Sequence, residues 1–193
     1  MGNFADTIKN TSPAKGDLSI FFMGQAGFII KDSEGKLYAI DVYFSDCCER
    51  EFGFKRLMPK ILEPSEVVFD YVITTHGHFD HLDIDAIPTL MANGRTELYT
   101  TRDGIEECEK IKITERINEI RRGDTLKIGN LTVTAVFCDH GELAPHAVGF
   151  VIEYGGEKIY LVGDSAYSPD KVAYLADENI NIMFVPINGA FGN

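Results

Sequence analysis

The sequence predicts one layered α/β sandwich, with strands leading and helices packed outside, from three observations. Short apolar runs split by Gly, Asp and Asn fill the first third, as consecutive strands do. Helix signals alternate with strands only later, an order that favours a layered sandwich over a doubly wound sheet. The length of 193 residues, at 45% apolar and 25% charged, suits one globular domain spanning 1–193.

Each element follows from its local pattern. Leu18–Met23, Gly27–Lys31 and Leu37–Val42 read as strands, turned by Gly24-Gln25-Ala26-Gly27 and Asp32-Ser33-Glu34-Gly35. The charged, Pro-containing stretch from Asp46 to Glu66 reads as a functional loop with a helical turn. Asp70–Thr75 is a buried strand. Asp85–Asn93 is a short helix closed by Gly94, and Asp103 with Glu106 has the spacing of a capping box opening a second one. Leu131–Phe137 alternates as a half-buried strand does. Ala147–Tyr154 and Lys158–Val162 form a hairpin across Gly155-Gly156-Glu157. Ser168-Pro169 starts a helix as N-cap and first helical residue, and Ile182–Ile187 is a last strand.

Charge and cysteine usage narrow the function. Thirty acidic against 18 basic residues give a net charge of −12, a field that repels nucleic acid and anionic membranes. No apolar run is long enough to span a bilayer, and the N-terminus lacks a signal-peptide pattern, so a cytoplasmic protein is expected. Cys47 and Cys48 are adjacent, Cys108 and Cys138 isolated, and no CxxC occurs. Reduced, structural thiols are expected.

The chemistry concentrates in His76-Gly77-His78-Phe79-Asp80-His81. Three of five histidines and a carboxylate fall within six residues, directly after a buried strand. Imidazole nitrogen and carboxylate oxygen are ordinary ligands for zinc and similar ions. Two more residues stand at strand ends: His140 in Cys138-Asp139-His140-Gly141 and Asp164 in Gly163-Asp164-Ser165. His146 is the alternative to His140 as a ligand, and otherwise a substrate contact or loop cap.

At these residues the chain resembles the metallo-β-lactamase superfamily, whose His-x-His-x-Asp-His signature stands intact at 76–81. Order and spacing match from about Leu18 to Asn193. Gly163–Ser168 and the Tyr43–Pro59 segment resemble the L-ascorbate-6-phosphate lactonase branch. The resemblance implies an αββα sandwich with two divalent ions, zinc or manganese. His76, His78 and His140 would hold one ion, Asp80 and His81 the other, and Asp164 would bridge them. It further implies hydrolysis by metal-bound hydroxide of a small-molecule lactone or ester of a sugar acid, phosphorylated in that branch. Asp80 would orient the nucleophile and Tyr167, three residues past Asp164, would donate to the oxyanion. Lys55 and Arg56 are the candidate phosphate contacts.

The superfamily continues past its Asp-bearing strand with a helix, a strand and a closing His, whereas this chain ends at Asn193. A truncated form with an incomplete second half is therefore expected, Asn188–Asn193 being an active-site loop cut in the middle. Its open sheet edge predicts self-association. The alternative is a catalytically inactive fold that binds a ligand or partner.

Overall fold

The computed structural model describes residues 3–187, so the expected cut loop at 188–193 lies outside the described residues. Two sheets face each other, and helices cover their outer sides. The first sheet runs in chain order: β1 (Leu18–Gly24), β2 (Gly27–Asp32), β3 (Leu37–Ile40), β4 (Tyr71–Ile73), β5 (Glu97–Thr100) and β6 (Ile117–Glu119). Strands β1 to β3 pair antiparallel, and β3 to β6 pair parallel. The second sheet joins β7 (Thr125–Ile128), β8 (Leu131–Phe137), β9 (Val148–Tyr154), β10 (Glu157–Leu161) and β11 (Ile182–Phe184). It is antiparallel except for the parallel β10–β11 pair.

Alternation along the strands builds three apolar layers. Phe28, Ile30, Ile40 and Ile73 point between the sheets, where they meet Val133, Phe150, Ile152 and Leu161. The intervening residues Ile29, Ala39 and Val72 point outward, under α1 (Phe4–Asn10), α3 (Ile87–Met91) and α4 (Arg102–Lys110). On the far side of the second sheet, Val136, Val151 and Tyr160 pack under Leu175 and Val172. Both faces of β2 and β3 are therefore buried, because the sheet is covered by helices on one side and by the second sheet on the other.

Several boundaries differ from the sequence pattern for local reasons. Strand β3 stops at Ile40 because Asp41 adopts a left-handed φ of 47°. Strand β11 ends at Phe184, two residues before Pro186, which has no N–H to donate. Helix α3 is five residues rather than the expected nine-residue span. The expected capping box is absent: α4 starts at Arg102 with Thr101 as N-cap, and the Asp103 carboxylate is engaged elsewhere. Ser168 occupies its N-cap position without capping, since its hydroxyl donates to Asp139 at 2.5 Å. Only one turn, α5 (Pro169–Val172), follows before a 3-10 segment over Ala173–Asp177. Helix α2 (Cys47–Phe52) supplies the helical turn expected in the long loop.

Short elements escaped the pattern altogether. Helix α1 buries only Ala5 and Ile8, too few to show a period, while β5, β6 and β7 run three or four residues each. Helix α1 is fixed by tertiary contact, because the buried Lys31 ammonium donates to the Ile8 and Lys9 carbonyls at 3.0 and 2.7 Å.

Phe150 is fully buried between the sheets. Phe150→Ala should lower the unfolding free energy by about 3–5 kcal/mol in urea denaturation. Leu143→Ala, at an 80% exposed position, should stay within about 0.5 kcal/mol of wild type.

Candidate metal centre

Strands β3, β4, β8 and β10 all end on one rim, and each hands a polar residue to the seam between the sheets. The turn after β4 carries His76, His78, Asp80 and His81. It stays tight because the His81 and Leu82 amides both donate to the His78 carbonyl, at 2.9 and 2.7 Å. His140 follows β8 and Asp164 follows β10. The His76 ring lies 4.6 Å from His78, 4.1 Å from His81 and 4.7 Å from His140, centroid to centroid. The His140 Nε2 and His78 Nδ1 atoms face each other at 3.1 Å.

Two donor triads result, His76–His78–His140 and His76–His81–Asp164, each with its ligand atoms within 4.8 Å of one another. The His76 Nδ1 is 3.0 Å from the Thr75 hydroxyl, which leaves Nε2 aimed into the cluster. That Nε2 is buried and has no hydrogen-bond partner. An orphaned imidazole nitrogen is costly unless something binds it, and a divalent cation among two further imidazoles suits it chemically. Asp80 Oδ2 approaches His81 Nε2 at 3.8 Å, and Asp164 Oδ2 approaches it at 3.3 Å.

Residues 46–191 match the beta-lactamase superfamily domain. The chain belongs to this superfamily. It is 24% identical over 183 residues to a UPF0173 metal-dependent hydrolase of Carboxydothermus hydrogenoformans, covering 90% of this chain and 74% of the relative. A second UPF0173 metal-dependent hydrolase, from Anaeromyxobacter dehalogenans strain 2CP-C, is 28% identical over 195 residues, covering 92% and 67% respectively. Among solved structures, an isothiocyanate hydrolase from Delia radicum gut bacteria superposes with a TM-score of 0.67 at 20% identity. That match covers 90% of this chain and 74% of the other. The metallo hydrolase Igni18 from Ignicoccus hospitalis gives 0.64 at 17% identity, covering 89% and 71%. These likenesses establish the superfamily's two-sheet sandwich as the fold.

The superfamily signature is braced by groups that sequence reasoning missed. Asp41, buried at the end of β3, accepts from the Thr75 amide and hydroxyl, both at 2.7 Å, and lies 3.0 Å from His81 Nδ1. Asp103, in the first turn of α4, accepts from the Gly77 amide at 2.7 Å and the Thr101 hydroxyl at 2.6 Å. A Cβ on Gly77 would come within 2.9 Å of the α4 backbone, so the residue between the two histidines has no room for a side chain. Asp83 accepts from the Phe44 and Ser45 amides at 2.8 and 2.6 Å, tying the long loop to the signature turn. Asp41 closes an apolar strand and Asp83 follows the signature by two residues, so only their order hinted at a role.

Other expected site residues lie apart from the cluster. Tyr167 is 84% exposed and is not among the residues lining the cavity beside the centre. The Arg56 guanidinium donates to the carbonyls of Tyr43 and Ser45 at 2.7 and 2.9 Å and stacks on the Tyr43 ring, so it is fixed within its own loop. Lys55 is exposed, and His146 lines a different pocket. A cavity of about 680 Å³ opens beside the second triad. Its walls include Phe22, Phe28, Leu161, Phe184 and Val185, and its polar floor is Asp41, Asp80, His81 and Asp164.

Burial and neighbours drive the imidazoles apart. Burial, reinforced by the other three histidines of the cluster, holds His76 well below its ordinary value of 6.5. Burial also opposes protonation of His81, but the carboxylates of Asp41, Asp80 and Asp164 outweigh it and hold His81 well above 6.5. Burial lowers His140, with Asp164 pulling partly the other way. For Asp164, burial disfavours the anion, yet the His81 contact prevails and keeps its carboxyl below the usual range.

Two outcomes follow. Asp41→Asn keeps the shape, tolerates the left-handed backbone and removes the charge behind His81. It should weaken zinc or manganese binding about 10–100-fold in chelator competition while circular dichroism stays unchanged. In chelator-treated protein, the raised His81 value stabilises the fold fully below about pH 6.5, and this contribution is lost as pH rises through that raised value. The stability gap between wild type and His81→Gln, measured by urea denaturation, should therefore shrink from pH 6 towards pH 9. A gap that widens would contradict the ion-pair account.

Proposed function

We propose that this protein is a metal-dependent hydrolase of neutral lactones or esters whose acyl portion is apolar. The observation that carries the proposal is the pairing of a histidine–carboxylate donor set with an apolar cavity, whose lining includes no lysine or arginine among the described residues. A phosphorylated sugar acid, the substrate of the lactonase branch the sequence resembles, finds no cationic contact in that lining. The same donor set favours the metal-dependent hydrolase activity that the relatives' names carry.

A bound divalent ion would supply Lewis acidity, lowering the pKa of a water and polarising a carbonyl. His76, His78 and His140 would hold one ion, and His81, Asp80 and Asp164 would offer donors for another. The first set offers three imidazoles and the second one imidazole with two carboxylates, and the nitrogen-rich first set favours a single tightly held ion per chain. Asp80, partly exposed on the cavity floor, would accept a proton from the attacking water and orient its lone pair. Phe22, Phe28 and Phe184 would desolvate the acyl chain and leave the ester carbonyl over the polar floor. Tyr167 would take part only if its loop turned inward.

The test combines metal analysis by mass spectrometry with turnover of a lactone and ester panel graded by acyl length. About one tight zinc or manganese per chain is expected, with activity rising with acyl length and disappearing on chelation. His78→Ala should abolish turnover, leaving the circular dichroism of wild type. Stoichiometric metal with no turnover across the panel would instead favour the inactive binding fold. Preference for phosphorylated sugar lactones would overturn the apolar substrate class.

A further inference from the structure

His146 and three arginines converge on the far side of the turn that carries His140. Arg102 opens α4, Arg121 and Arg122 follow β6, and His146 ends the segment after His140. Together with Glu119 and Pro145 they enclose a pocket of about 380 Å³, large enough for a small organic anion. It shares no lining residue with the apolar cavity.

The local charge is out of keeping with the chain. Acidic residues outnumber basic ones 30 to 18, so surface cations have carboxylates in excess to pair with. Arg102 does so with Glu106 at 3.1 Å, and Arg121 with Glu119 at 2.7 Å. Arg122 does not: its guanidinium stacks over the Phe137 ring at 4.5 Å. The Lys171 ammonium sits 5.7 Å from the same ring. Among the described residues, neither cation has a carboxylate within 4.0 Å. Arg122, which lines the pocket, therefore brings it a positive charge with no carboxylate partner, and an anion there would neutralise that charge. Glu119 already responds to the cluster: its hydrogen bond from Arg121 holds the carboxyl below the usual range, assisted by Arg102 and His146.

We infer that this pocket is a second ligand site, taking the phosphate or carboxylate group of a small molecule. Arg121 and Arg122 both line the pocket, and guanidinium groups carry the planar N–H pairs that suit such oxyanions. His146 and Pro145 line the same pocket.

Calorimetric titration of the 193-residue protein with inorganic phosphate, at constant chloride, tests the assignment, and a parallel titration with succinate separates phosphate from carboxylate ligands. Saturable binding of at least one anion is expected, with and without prior chelation. Arg122→Glu should weaken it at least about tenfold, and Arg121→Glu should do so independently. Both positions are exposed, so circular dichroism should not change. Binding retained in both variants, or no saturable binding, would overturn the proposal. Loss of binding in Asp164→Asn would also overturn it, by placing the anion at the metal centre. Failure of the hydrolase assay leaves each of these outcomes readable.

Discussion

One buried carboxylate holds the metal centre in register. The two oxygens of Asp41 engage the Thr75 amide and hydroxyl and the inner nitrogen of His81, so a single side chain fixes where β4 ends and which way His81 points. With Nδ1 occupied by Asp41, His81 can offer only Nε2 towards Asp164. The seat for this carboxylate is a left-handed backbone at 47°, a conformation that Asp and Asn tolerate better than other side chains. Strain at that residue is offset by charge-assisted hydrogen bonds to a buried carboxylate.

The two sheets contribute unequal shares to the centre. The first supplies the signature turn and its buttresses, Asp41, Asp83 and Asp103. The second supplies His140 and Asp164, whose loops are tied together by the Ala166 amide on the Asp139 carbonyl at 2.8 Å and the Asp139 amide on the Ser165 hydroxyl at 2.9 Å. A direct backbone bond crosses the seam, from the Val148 amide to the Thr75 carbonyl at 3.0 Å. The donor atoms therefore converge because the apolar layer between the sheets sets their separation, with this cross-link trimming it.

Legibility in the sequence followed the range of the interactions. His76, His78, Asp80 and His81 were readable because the motif is local, one turn after one strand. His140 and Asp164 needed the family pattern, and the structure brings both to the cluster. Asp41 and Asp103 act across 34 and 26 residues, a separation no local period records. Lys55, Arg56 and Tyr167 looked functional through residue type and position alone. Arg56 shows the weakness of that inference, since a buried guanidinium can be consumed by carbonyls of its own loop. The strands β5 to β7 were invisible for a different reason, being too short for alternation to stand above chance.

The thiols complete the physical description of the centre's surroundings. All four cysteines are free and buried, and burial pushes those of Cys47, Cys108 and Cys138 up to about 12. Cys138 stands two residues before His140 in the sequence and belongs to neither donor triad. Held as a neutral thiol, it is a poor ligand and a poor nucleophile. The centre is thereby biased towards nitrogen and oxygen coordination, and peroxide or disulfide reagents meet a polypeptide with little to attack.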